Sequence, residues 1–204
     1  MNSEVRTTTL DLLRHGHCEG GEIFRGSTDV PLTDQGWQQM YAALEPDFPW
    51  QRVICSPLQR CRLFSEQLSS RRNIPLGVFE ELREIHFGDW EGVLRVEVQR
   101  THGTQLSTFW RDPVAGAPPN GEPYLEFHER VATCLQQLLA QYAGEHLLVV
   151  SHGAVMRVIM CELLDLPYQS ISRISVPYAC MTRFRIYQRE GRQLWAQLCF
   201  HRGD

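Results

Sequence analysis

The chain has 204 residues, a hydrophobic fraction of 43% and a formal net charge of -4. Its 20 basic residues are all arginine. That excludes a lysine Schiff base, lysine-tethered pyridoxal phosphate, a Walker A phosphate loop and a kinase ATP lysine.

The length suits a single domain over residues 1–204. The mild acidity implies no nucleic-acid partner, and no apolar run reaches membrane length. Met1 to Thr9 lacks the layout of a signal peptide. Seven cysteines at mostly apolar positions read as reduced thiols of a cytoplasmic protein. A homodimer stays open.

Thr7–Leu13 is a β-rich run ending at Arg14-His15-Gly16. Thr33–Leu44 is a predicted helix, with Trp37, Met40, Tyr41 and Leu44 on one face behind a Thr33 cap. Arg52–Cys55 is a short strand. Ser56–Ser70 follows as a helix with Ser56 as N-cap and Pro57 at its first position. His102–Tyr124 is rich in proline and glycine and reads as an irregular lid or specificity segment. Leu125–Tyr142 is a helix with a strong apolar stripe, His146–Ser151 a buried strand and Ala154–Leu164 another helix. Cys180–Gln188 and Gln193–Phe200 form a hairpin around Arg189-Glu190-Gly191-Arg192, with Leu194, Ala196, Leu198 and Phe200 on one face. Alternating strands and helices give an α/β fold: a three-layer α/β/α sandwich on a mostly parallel central sheet.

Ligands of such sheets sit beyond the carboxyl ends of the strands. Three motifs lie there: Leu13-Arg14-His15-Gly16, Cys55-Ser56-Pro57-Leu58-Gln59-Arg60-Cys61 and Ser151-His152-Gly153. Glycine at two of these corners lets the backbone approach a ligand. Two histidines, two arginines and helix N-termini together make an anion site. Arg62, two residues after Arg60, turns about 200° away on a helix and reads as a surface or ion-pair residue.

These motifs stand in order with Phe24-Arg25-Gly26-Ser27-Thr28-Asp29-Val30-Pro31-Leu32-Thr33 and Leu82-Arg83-Glu84-Ile85-His86-Phe87-Gly88-Asp89-Trp90-Glu91-Gly92. Over roughly residues 8–160 the chain resembles the phosphoglycerate-mutase-like branch of the histidine phosphatase superfamily. Within it, the Gly20-Gly21 turn, Trp110-Arg111-Asp112-Pro113 and Pro119-Asn120-Gly121-Glu122 are most similar to the α-ribazole phosphatase group of cobalamin assembly. The resemblance implies a small-molecule phosphomonoester substrate, inorganic phosphate as product and no cofactor or metal. The implied catalytic set is His15, Glu84, Arg14, Arg60 and His152. His15 would attack phosphorus, kept neutral by Arg14 beside it. Arg14 and Arg60 would fork onto the phosphoryl oxygens, with a protonated His152 as a third donor. Glu84 would be the general acid and then the base, its pKa raised by the bound phosphate.

Gly26 and Gly153 are candidate phosphate-binding N–H donors. Arg25 reaches either the anion or the rest of the substrate. Glu80 and Glu81 read as a solvated pair, and Ser56 as a cap, since no histidine base lies near it in sequence. His86, His102, His128, His146 and His201 read as surface or packing residues. Trp110 and Tyr124 stack on a heteroaromatic base or pack in the core. The remaining 17 arginines read as solvated surface.

The chain departs from the family in lacking the usual Thr and Asn after His-Gly. His17-Cys18-Glu19 stands there, so Ser27 or Arg25 would supply the missing phosphate contacts. Competing readings are a metallohydrolase using His15 and His17, an inactive phosphate-binding module, and a mutase; mutases are usually longer between the Glu84 and His152 motifs.

Overall fold

The computed structural model describes residues 5–44, 49–189 and 192–203, with backbone only for 192–194. Its sheet has six strands in the order β3-β2-β4-β1-β5-β6: β1 Arg6–Arg14, β2 Arg52–Cys55, β3 Leu76–Val78, β4 His146–Ser151, β5 Met181–Arg189 and β6 Arg192–Arg202. The first four run parallel, and β5 is antiparallel to both its neighbours.

Successive strand residues face opposite sides, so every strand but the short β3 feeds two cores. Leu10, Leu12, Ile54, Leu147, Val149, Phe184 and Ile186 join one core, covered by α3 Arg95–Arg111, α4 Tyr124–Gln141 and α5 Gly153–Leu163. Leu13, Val53, Cys55, Leu148, Val150 and Met181 join the other, covered by α1 Asp34–Ala43 and α2 Gln59–Arg72. The three-layer α/β/α sandwich expected from the sequence is therefore present.

Thr33 caps α1 as expected, its Oγ1 accepting from the Gly36 N–H at 3.1 Å. The start of α2 is a correction. The helix begins at Gln59 behind Leu58, not at Pro57 behind Ser56. Ser56 Oγ accepts from the Leu58 N–H at 3.3 Å, two residues on, so Ser56 closes a turn ahead of the helix.

The irregular segment is also shorter than expected. Helix α3 continues through His102 to Arg111, bending at His102, and only residues 112–123 lie outside helices. Thr101, Ser107 and Thr108 bond back to the carbonyls of Glu97, Gly103 and Thr104 at 2.7–3.0 Å. Such residues favour helices weakly, so burial of Val98, Leu106 and Phe109 holds this one.

On β6 the expected common face breaks. Ala196 packs on the α4–α5 core while Phe200 packs on the opposite one. The register shift between Arg183/Phe184, opposite Phe200 and Leu198, inserts an extra residue and reverses the alternation. Glu190 and Gly191 of the expected turn, and the Leu194 side chain, lie outside the described residues.

The arginines are more engaged than a solvated surface implies. Arg183 donates to both oxygens of the fully buried Asp11 at 2.7 and 2.8 Å, and Trp50 and His146 complete that carboxylate's shell. Arg130 grips Glu122 and the carbonyls of Glu81 and Arg83. Arg62 pairs with Glu66 at 2.7 Å, as its position on α2 indicated.

Candidate active site

Strand β4 lies between β1 and β2, so the three motif corners meet at one sheet edge. Arg14 pairs with Ser151 and Cys55 with Val150. The His15 N–H donates to the Ser151 carbonyl at 3.0 Å, and the Ser56 N–H to the Val150 carbonyl at 3.1 Å. His15 and His152 then stand edge to face, their ring centroids 5.3 Å apart.

His15 is 3% exposed. Its Nδ1 lies 2.9 Å from the Gly16 carbonyl, which can only accept, so that nitrogen carries the proton. Nε2 keeps its lone pair and has no hydrogen-bond partner among the described residues. Burial first, then the charges of Arg60 and Arg14, hold the imidazole pKa well below the ordinary histidine value. The neighbouring arginine anticipated from sequence contributes, but desolvation dominates.

Glu84 follows the 3-10 turn Glu80–Leu82 and is buried. Its oxygens accept the Ala154 and Ile85 N–H groups, both at 3.2 Å. Burial nevertheless raises its pKa, against those bonds and against Arg60 and Arg14. The upward direction expected from sequence holds without any phosphate. Glu80 and Glu81 are exposed.

A cavity opens over these groups. Arg14, His15, Arg25, Glu84, Gly153, Ala154, Arg95 and Arg157 line it, with an apolar wall from Phe24, Phe87, Phe109, Trp110 and Tyr124. Arg14 donates to the Val176 carbonyl at 2.6 Å and lies 4.4 Å from the Tyr178 ring centroid, leaving its Nε buried without a partner. Gly153 leaves room for two guanidiniums; a Cβ there would stand 3.1 Å from Arg157 and 3.5 Å from Arg14.

Arg60 and His152 sit behind this cavity rather than on its wall, both fully buried. Arg60 donates to the carbonyls of Gly26 at 2.7 Å and Thr28 at 2.9 Å, and its Nε to His152 Nδ1 at 3.3 Å. An Nδ1 that accepts puts the proton on Nε2, which lies 2.7 Å from Ser56 Oγ. Burial, Arg60 and His15 all push the His152 pKa far down. His152 is thus neutral and its one donor is committed to Ser56, which corrects the expectation of a protonated phosphate donor. It also places a histidine beside Ser56 that sequence distance concealed.

The Gly26 N–H is a further correction. It donates to Glu91 at 3.3 Å, and the Ser27 N–H does so at 2.9 Å, so neither is free for a phosphate. Arg25 lines the cavity, but its terminal nitrogen holds the Glu19 and Gly21 carbonyls at 2.6 and 2.8 Å. His17 Nδ1 faces Thr33 Oγ1 at 3.0 Å instead of sharing a ligand with His15. Among the described residues, no cluster of three or more His, Cys, Asp or Glu side chains is placed to hold a metal ion.

Of the two aromatic candidates, Tyr124 is buried in the core and also reaches the cavity wall, while Trp110 is 44% exposed at its rim. Sequence reasoning missed Tyr178, Arg95, Arg157 and Glu91. Only Glu91 carried a visible signal, since it belongs to the Gly88-Asp89-Trp90-Glu91-Gly92 motif.

Residues 10–197 match the model of the histidine phosphatase superfamily, branch 1. The adenosylcobalamin/alpha-ribazole phosphatase of Salmonella typhimurium is 32% identical over 186 residues, 87% of this chain and 90% of that one. The glucosyl-3-phosphoglycerate phosphatase of Mycolicibacterium vanbaalenii is 31% identical over 175 residues, 80% of this chain and 77% of that one. Among solved structures, the alpha-ribazole phosphatase of Shigella flexneri superposes with a TM-score of 0.79 at 27% identity, covering 93% of this chain and 94% of that one.

Proposed function

The chain belongs to the histidine phosphatase superfamily, branch 1, and from that membership we propose that it hydrolyses phosphomonoesters through a phosphohistidine on His15. The observation that carries this reading is the free Nε2 of a neutral His15 in a cavity shared with Arg14 and Glu84. Nε2 attacks phosphorus and the ester oxygen leaves. Glu84, whose protonated form is favoured by burial, gives that oxygen its proton. The resulting carboxylate takes a proton from water, which attacks the phosphohistidine and releases inorganic phosphate and free His15. Arg14, on the cavity wall, and Arg60, behind His15, offset the charge on the transferring phosphoryl group. The Gly153 N–H opens α5 beside them, at the positive end of the helix. Arginines supply the charge that a metal would otherwise provide.

The substrate we favour is α-ribazole 5′-phosphate or adenosylcobalamin 5′-phosphate. The Salmonella relative and the aromatic wall of the cavity support it. The end of α3, through Phe109 and Trp110, together with Tyr124 then acts as the specificity segment of a single domain. One observation favours a small anionic ester instead. Arg157 and Arg95 line the same cavity, and the terminal nitrogens of Arg157 have no hydrogen-bond partner among the described residues. Comparing kcat/KM for α-ribazole 5′-phosphate, a phosphoglycerate, a sugar phosphate and a phosphopeptide decides between them. A preference of at least tenfold for the first supports the favoured substrate; a preference for the phosphoglycerate supports the other. Trp110→Ala would raise KM for aromatic esters more than for alkyl esters.

A further inference from the structure

Glu91 follows the 3-10 turn Gly88–Trp90 and reaches across to residues 26–28. Its Oε1 accepts the N–H groups of Ser27 at 2.9 Å and Phe87 at 2.8 Å. Its Oε2 accepts the N–H groups of Gly26 at 3.3 Å and Thr28 at 3.1 Å, and the Thr28 hydroxyl. All five partners are donors, so only an ionised carboxylate suits the site. A Cβ on Gly26 would collide with this carboxylate and with the Ile85 carbonyl.

Two carbonyls of this loop point the other way: those of Gly26 and Thr28 accept from Arg60. The Gly26–Ser27 peptide group therefore offers its N–H to Glu91 and its C=O to Arg60. A peptide held between an anion and a cation is polarised along that line, and each hydrogen bond strengthens the other.

We propose that Glu91 is a positioning residue for catalysis, acting through the 26–28 peptides to fix the Arg60 guanidinium behind His15. Glu91 does not line the cavity. It holds the N–H groups of the loop so that the Gly26 and Thr28 carbonyls face Arg60. This role rests on the reading of His15 as nucleophile and of Arg60 as part of the phosphoryl environment.

The test is Glu91→Gln, with p-nitrophenyl phosphate as substrate and orthophosphate as ligand. The amide presents an NH2 to a ring of donors, so the loop must shift. We expect kcat/KM to fall about 10- to 100-fold and orthophosphate binding, read by calorimetry, to weaken. His15 faces Arg14 of β1, Cys18 and Arg25 of the following loop, Arg60 of α2, Glu84, His152 before α5, and Tyr178. Of these charges Arg60 weighs most on it. Displacing Arg60 therefore moves the acid limb of the kcat/KM profile to higher pH, which simple loss of stability would not do. Glu91→Asp, which keeps the charge, recovers part of the activity.

A folded Glu91→Gln protein within twofold of wild type, or one whose activity falls with an unmoved acid limb, overturns the proposal. If Glu91→Gln does not fold, Thr28→Val removes only the hydroxyl contact. A several-fold loss with a displaced limb then supports the proposal, and wild-type kinetics overturn it. Wild-type protein that binds orthophosphate but hydrolyses nothing refutes the hydrolase reading; the calorimetric comparison still decides the role of Glu91.

Discussion

Arg60 donates its Nε–H to Nδ1 of His152 across 3.3 Å, and this contact fixes the second histidine as the neutral Nε2–H tautomer. The arrangement couples α2 to the corner after β4 and makes Ser56 the acceptor of the remaining imidazole proton.

Ser56→Ala leaves that buried N–H only the weak acceptor Cys61 Sγ at 3.7 Å and is expected to lower unfolding free energy by about 1–3 kcal/mol. Urea denaturation measures it. The same burial gives a pH signature. His15 and His152 have folded-state pKa values below the ordinary 6.5, so the unfolded chain binds protons first as pH falls. Their contribution is complete above about pH 6.5 and is lost progressively below it, toward the depressed values. Stability that is flat from pH 7.5 to 5 would contradict this assignment.

Glu84→Gln tests the general acid. Its raised pKa means that the wild-type kcat/KM falls as pH rises through that value, because the proton donor is lost. The glutamine variant should lose this alkaline limb. Its kcat should drop by about 10²–10⁴ for alkyl phosphates and much less for p-nitrophenyl phosphate, whose leaving group needs little protonation. Equal losses for both esters would show that Glu84 does something other than protonate the leaving group.

Asp11 is expected to be a stability residue. Burial alone would raise its pKa, but hydrogen bonds from Arg183, His146 and Trp50 outweigh that and hold it below 3.8. Its contribution is present above pH 3.8 and fades as pH falls through the depressed value. Asp11→Ala removes the buried acceptor shared by Arg183, His146 and Trp50 and is expected to cost about 3 kcal/mol, with kcat little changed in the folded fraction. Thermal melts together with active-site titration check both parts.

The parts of the fold that were legible in the sequence are those where local pattern and burial agree. His146–Ser151 is a run of residues buried on both faces, and the observed strand has the same limits. Thr33 announces α1 because its hydroxyl has one natural acceptor role there. Helix α3 was hidden because Thr101, Gly103, Thr104, Ser107 and Thr108 are weak helix formers, and it is held by tertiary contacts, chiefly the burial of Val98, Leu106 and Phe109. The Phe200 reversal was hidden because a bulge costs one residue of register, which alternation cannot foresee.

At the site, the strand-end placement of His15 and His152 followed from chain order. The charge of His152 and the direction of the Gly26 N–H did not. Both depend on partners 92 and 65 residues away, Arg60 and Glu91, whose positions arise only from the fold. Tyr178 reaches the cavity from a segment with no motif, and Arg157 from α5 one turn beyond the His152-Gly153 corner.

The central claim is covalent transfer to His15, and rapid-quench labelling tests it most directly. Enzyme mixed for milliseconds with a ³²P-labelled phosphomonoester and quenched in base should carry an acid-labile, base-stable label on the peptide containing His15. His15→Ala should carry none and should not turn over. Label on Ser56 or Cys18, or near-wild-type hydrolysis by His15→Ala, would contradict the account.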